Sequence, residues 1–123
     1  MTKFKLSSIT LLALLVTGCP ALMYGHLKNS SQSDLVVIPP NVPENPWIID
    51  SGETVRIVWH QECIIIRDGM ETKYFLSWPL PENTVTSGVF SSSINAVYSN
   101  GSLYIETKDG ALVQTKETSS CAQ

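Results

Sequence analysis

Three dipeptides decide most of what this chain can become. Asp68-Gly69, Asn100-Gly101 and Asp109-Gly110 each separate runs rich in apolar and β-branched residues. A two-residue type I′ turn requires positive φ at both central positions, which Asn, Asp and Gly reach with the least strain. Such a turn joins neighbouring strands with the twist that a β-hairpin needs. Around Asp68-Gly69, "CIIIR" (63–67) leads in and "METKYFLSW" (70–78) returns. A two-residue turn there sets Cys63 opposite Tyr74 and Ile65 opposite Thr72. Around Asn100-Gly101, the same geometry sets Tyr98 opposite Leu103 and Val97 opposite Tyr104, which are aromatic–aliphatic pairs of the kind that hold a ladder together.

The rest of the chain follows the same grammar. In "TVRIVW" (54–59), Val55, Ile57 and Trp59 alternate with Thr54, Arg56 and Val58, the period of a half-buried strand. "LVVI" (35–38) and "WII" (47–49) are short strands on either side of "PPNVPENP" (39–46). Four prolines in eight positions exclude both helix and central strand there. "SINAVYS" (93–99), "SLYIETK" (102–108) and "ALVQT" (111–115) form a three-stranded meander. Beyond the first eighteen residues, no stretch of ten or more combines helical periodicity with a cap. The expectation is an all-β domain: a small antiparallel sandwich or barrel of about seven to eight short strands built from hairpins. Residues 35–123 form that domain in this reading. Residues 19–34 are a tether merging into a first strand, with "HLKNSS" itself a candidate strand.

The N-terminus has a different character. Lys3 and Lys5 precede an apolar run, residues 6–16, too short to cross a hydrocarbon core that requires about twenty residues. A cationic start, a short apolar core and small residues after it describe a cleaved N-terminal signal helix, residues 1–18. The run ends in Val16-Thr17-Gly18-Cys19, which resembles the lipobox of bacterial lipoproteins: an aliphatic residue, a small one, Gly or Ala, then Cys. The resemblance covers residues 1–19 only. It implies a diacylglycerol thioether on Cys19, cleavage between Gly18 and Cys19, and residence in the bacterial envelope. Pro20, not Asp, follows the cysteine, which in enterobacterial lipoproteins favours the outer membrane, facing the periplasm.

With Cys19 lipidated, two cysteines remain, Cys63 and Cys121, and in an oxidising compartment an even pair suggests a disulfide. The charge is −3, and loss of Lys3 and Lys5 takes the processed chain to −5. Lys28, Arg56, Arg67, Lys73, Lys108 and Lys116 are scattered. No basic stripe exists to neutralise phosphates, which argues against nucleic-acid binding and against a basic grip on anionic lipid headgroups.

Little in the sequence looks catalytic. His60 and Glu62 stand at i, i+2, where a strand would point them the same way, as two metal ligands or as a base and its orienter. The plainer account of "HQE" is a polar turn between strands. Ser87, Ser91, Ser92 and Ser93 cluster beside Gly88 without a Gly-x-Ser-x-Gly elbow. Glu62 and Glu71 are better read as solvated strand ends than as a carboxylate pair. His26 and His60 with two distant cysteines show no zinc spacing, and no metal or cofactor is expected. Trp59 belongs to the core by its alternation. Trp47 in "NPW" and Trp78 in "WPLP" either cap the ends of the domain or, with His60, rim a surface for a glycan or peptide. Asn29-Ser-Ser and Asn100-Gly-Ser match the glycosylation pattern, Asn100 being better explained by its turn.

Three functions compete on these grounds. The leading one is a membrane-anchored envelope lipoprotein acting non-enzymatically, by binding an envelope partner or by structural support. The alternative is a ligand-binding or inhibitor module recognising a cell-wall glycan, a peptide or an attacking enzyme. A hydrolase using His60 and Glu62 has the least behind it.

Overall fold

Alternation writes the first strand. In the computed structural model, which describes residues 23–60, 62–84 and 92–121, Gly25, Leu27 and Asn29 of β1 (Met23–Asn29) are buried while Lys28 between them is exposed. β1 lies between β4 (Thr54–Val58), antiparallel to it, and β7 (Ser92–Ser99), parallel to it. β8 (Ser102–Glu106) and β9 (Leu112–Gln114) extend the sheet, giving the order β4-β1-β7-β8-β9. The second sheet contains β2 (Leu35–Ile38), β3 (Trp47–Ile49), β5 (Cys63–Asp68), β6 (Glu71–Leu76) and β10 (Glu117–Thr118), in the order β10-β6-β5-β2-β3. The chain is an all-β sandwich of two five-stranded sheets.

The inner faces interlock over one core: Leu27, Ile57, Trp59, Ile94, Tyr98, Leu103 and Ile105 from the first sheet, and Leu35, Val37, Ile49, Ile64, Ile66 and Phe75 from the second. Phe75 and Tyr98 meet edge to face across the layers, centroids 6.1 Å apart. Among the described residues, no helix is long and apolar enough to cross a membrane.

Several expectations need correction. The domain starts by Met23, not at Leu35, because residues 23–29 pair on both sides within a sheet. The candidate strand in "HLKNSS" is real and starts earlier, at Met23; its polar outward face made the segment resemble the end of a tether. Among the described residues ten strands are present, where the sequence suggested about seven to eight, and one pair, β1 with β7, is parallel. The Asn100-Gly101 turn forms as expected, φ 51° and 79°, with Tyr98 opposite Leu103 and Val97 opposite Tyr104. The first hairpin does not. Asp68 pairs with Glu71, so the loop is Gly69-Met70, and Cys63 faces Leu76 while Ile65 faces Tyr74. Gly69 alone has positive φ there, 64°, the arrangement of a type II′ turn with Gly first. At Asp109-Gly110 the connection is longer still. Thr107 donates its amide to the Ala111 carbonyl (2.9 Å) and its hydroxyl to Asp109 Oδ1, and Gly110 takes φ 81°. The signal segment, Cys19, Gln61, Ser87, Gly88 and Ser91 lie outside the described residues.

The two ends of the sandwich differ. The far end from Met23 carries the short turns and a polar knot. Asn29 is completely buried; its Nδ2 donates to the carbonyls of Ser33 (2.8 Å) and Ile49 (2.9 Å), while its Oδ1 accepts from the Ser31 amide and hydroxyl. A side chain so enclosed is closed to glycosylation in the folded domain. Beside it, Tyr98 donates its hydroxyl to Asp68 Oδ2 at 2.7 Å, bridging the sheets. Burial, then the Asp68 hydrogen bond, raises the phenol above its usual range. Tyr98→Phe is expected to cost about 1.5–3 kcal/mol, the worth of a hydrogen bond to a charged group. Urea unfolding of the two proteins reads it directly.

Candidate functional site

The near end, where β1 begins, gathers the irregular segments. Met23 accepts the Trp59 amide on its carbonyl (2.9 Å), and Trp59 and His60 lead out of β4 toward β5 at this level. β2 leads out to the proline-rich 39–46 loop here, β3 returns at Trp47, β6 leads out to Trp78 and Pro79, and the 107–111 connection closes the first sheet. Trp59 is 2 % exposed and its ring lies over Gly25. Its Nε1 donates to the Ser77 carbonyl at 3.2 Å, and Ser77 Oγ donates to the His60 carbonyl, so this short crossing is tied to the opposite sheet twice.

A depression of about 370 Å³ opens between the proline loop and the end of β4, lined by Pro39, Asn41, Val42, Asn45, Trp47, Val58 and His60. A second, of about 410 Å³, contains Trp78 among its walls, with Leu76, Leu80, Ile105 and Val113. The two share no residue. Trp47 and His60 therefore belong together, whereas Trp78 lines a different hollow, and the three do not form one surface as the sequence allowed. The reason is topological. Trp47 follows β2, and Trp78 follows β6, which lies on the other side of β5 from β2.

His60 is the titratable group at the first depression. Its Nε2 is sealed from solvent and has no hydrogen-bond partner among the described residues. Burial lowers its pKa below 6.5, a shift that the nearby Glu62 carboxylate partly offsets. A neutral imidazole in the fold and a freely protonating one in the unfolded chain make stability fall as pH drops below about 6.5. Above that value the contribution is complete. His60→Gln is expected to flatten this acid-side slope, measured by urea midpoints between pH 7.5 and 5, and the His60 resonance should titrate below 6.5.

Glu62 is exposed and absent from the lining of the depression. Glu62 and Glu71 sit at opposite ends of the β5–β6 hairpin, and Glu71 faces Lys73 at 3.6 Å on the surface. Ser92 and Ser93 lie in β7, paired with Met23 and Tyr24. Among the described residues no cluster of three His, Cys, Asp or Glu side chains could hold a metal ion. Cys63 and Cys121 are joined as a disulfide, Cα atoms 5.7 Å apart, at this same end. Sequence reasoning passed over the Asn29–Ser31–Ser33 knot and Gly25. "KNSSQSD" carries the composition of a side-chain-capped turn, which was the available signal. Comparison with protein-family models, with curated proteins and with solved structures finds no match to this chain.

Proposed function

We propose that the protein is a lipid-anchored domain of the bacterial cell envelope, held at the outer membrane by Cys19 and acting by binding, not by chemistry. The observation that carries this reading is Val16-Thr17-Gly18-Cys19 at the close of an apolar run. A single acyl chain holds a protein to a bilayer only marginally, whereas the two or more of a lipoprotein cysteine hold it stably, at about 0.8 kcal/mol per buried methylene. The disulfide supports an oxidising location. A sealed Nε2 on His60, and a Glu62 that is exposed and does not line the depression, support binding over catalysis. The partner class is an envelope protein. Labelled fatty acid should enter the wild-type chain in its host and fail to enter Cys19→Ser, which should appear in the soluble fraction. Equal labelling of the two proteins would refute the anchor.

One observation favours a second reading in which the domain also holds a small ligand. Trp47, Val42 and Val58 provide apolar walls to the 370 Å³ depression, and Asn41 and Asn45 provide amides, a composition suited to a peptide or glycan fragment. Quenching of Trp47 emission by cell-wall fragments, lost in Trp47→Phe, would identify that ligand class.

A further inference from the structure

We infer that the sandwich stands on the bilayer by its near end, with Trp78, Val42 and Leu112 as the residues that touch lipid. The inference rests on acylation of Cys19. Only three residues, 20–22, separate that cysteine from the first residue of β1. Four extended steps span at most about 14 Å. The strand itself, Met23 to Asn29, rises about 20 Å. A leash shorter than the strand it holds cannot let the domain invert: the far end, with its turns at 69–70 and 100–101, stays away from the membrane. The near end is the one brought down.

That end is also built for an interface. Trp78 is 47 % exposed beside Leu76 at the end of β6, Val42 crowns the proline loop, and Leu112 opens β9 after the 107–111 connection; all are exposed. Tryptophan with aliphatic neighbours at a water–lipid boundary partitions to the headgroup level, ring inward and N–H outward. Glu44, Glu62, Glu82 and Asp109 stand at this end with Lys108 and Lys116, so the contact is apolar and suits a zwitterionic surface. Among the described residues, the turns of the far end carry one large exposed apolar side chain, Met70, 102 % exposed; Ile48, 64 % exposed, lies on the outer face of β3 between the two ends. Met70 supplies the reference position.

The test uses the full chain purified from membranes and reconstituted in phosphatidylcholine vesicles whose acyl chains carry bromine near the headgroup. Trp47→Phe leaves Trp78 and the buried Trp59 as emitters; Trp47→Phe/Trp78→Phe/Met70→Trp moves the reporter to the far end. Trp78 should lose most of its emission to brominated lipid and resist aqueous iodide. The Met70→Trp reporter should behave the opposite way. Equal quenching of both reporters, or quenching of the far one alone, in protein whose intact mass carries the acyl group, would overturn the orientation and leave the anchor standing. An intact mass without the acyl group would overturn both.

Discussion

Removing the Cys63–Cys121 bond is expected to lower the unfolding free energy by about 4 kcal/mol, from closure of a 58-residue loop in the unfolded chain. In a domain of this size that is a large share of the total. The double variant Cys63→Ala/Cys121→Ala is the clean comparison, since a single substitution leaves a reactive thiol. The loss has a second, structural part. Cys121 follows β10, which pairs through Glu117 and Thr118 with Phe75 and Tyr74 of β6 and is the outermost strand of its sheet. Without the bond, the tail beyond Thr115 is held mainly by that two-residue ladder and by the Leu76 amide donating to the Lys116 carbonyl at 2.8 Å. The edge of β6, with Phe75 and Leu76, would then open to pairing with other chains. Urea unfolding measures the first effect. Amide exchange at Leu76, faster in the double variant, and light scattering at rising concentration measure the second. A cost below about 1 kcal/mol would mean that the bond does little to restrict the unfolded ensemble.

Trp59→Ala should be comparably damaging, about 3–5 kcal/mol, the range for truncating a buried aromatic side chain. The ring fills the space above Gly25 and ties its Nε1 to the Ser77 carbonyl, so its loss leaves both a cavity and an unpaired acceptor. The partner position gives the sharper result. A Cβ at residue 25 would stand 2.6 Å from Cε3 of Trp59, a distance that neither the sheet nor the packed ring can accept unchanged. Gly25→Ala should cost about 1–3 kcal/mol by overpacking. In the Trp59→Ala background the same methyl enters empty space and should cost little or recover some stability. The double-mutant cycle is therefore strongly non-additive. Additive costs would show that the two residues do not meet.

The strands were legible where alternation or a turn dipeptide announced them. Val55, Ile57 and Trp59 declared their face, and Asn100-Gly101 fixed its register to the residue. Asp68-Gly69 misled because Asp and Gly are equally at home as the two centres of a type I′ turn or, shifted by one, as the last paired residue and the first centre of a type II′ turn. The two registers differ by two residues, so every side chain keeps its face and only its cross-strand partner changes. Ile64 and Ile66 point inward and Arg67 outward in either case; in the observed register Phe75 stands directly opposite Ile64 and Leu76 opposite Cys63. β1 was legible only in part, as the candidate strand "HLKNSS" at the end of a tether: the alternation of Gly25, Leu27 and Asn29 is local, but the parallel pairing with β7 has no local signature. The sequence placed Trp47, Trp78 and His60 near the same irregular segments but not on the same or separate sides of β5, because sheet order is a property of the assembled fold.

The parallel pairing of β1 with β7 also governs the order in which the molecule can assemble. A polypeptide emerges N-terminus first, so β1 is available early and can zip with β4, yet its other edge remains bare until residues 92–99 have followed. Contacts between such remote parts of a chain form slowly, after the intervening loop has been closed. During that interval the unpaired backbone of β1 is a template for any passing strand. If Cys19 is already in the bilayer, the waiting edge is confined to the membrane surface, in two dimensions, where a shielding factor would have to meet it before a neighbouring nascent copy does.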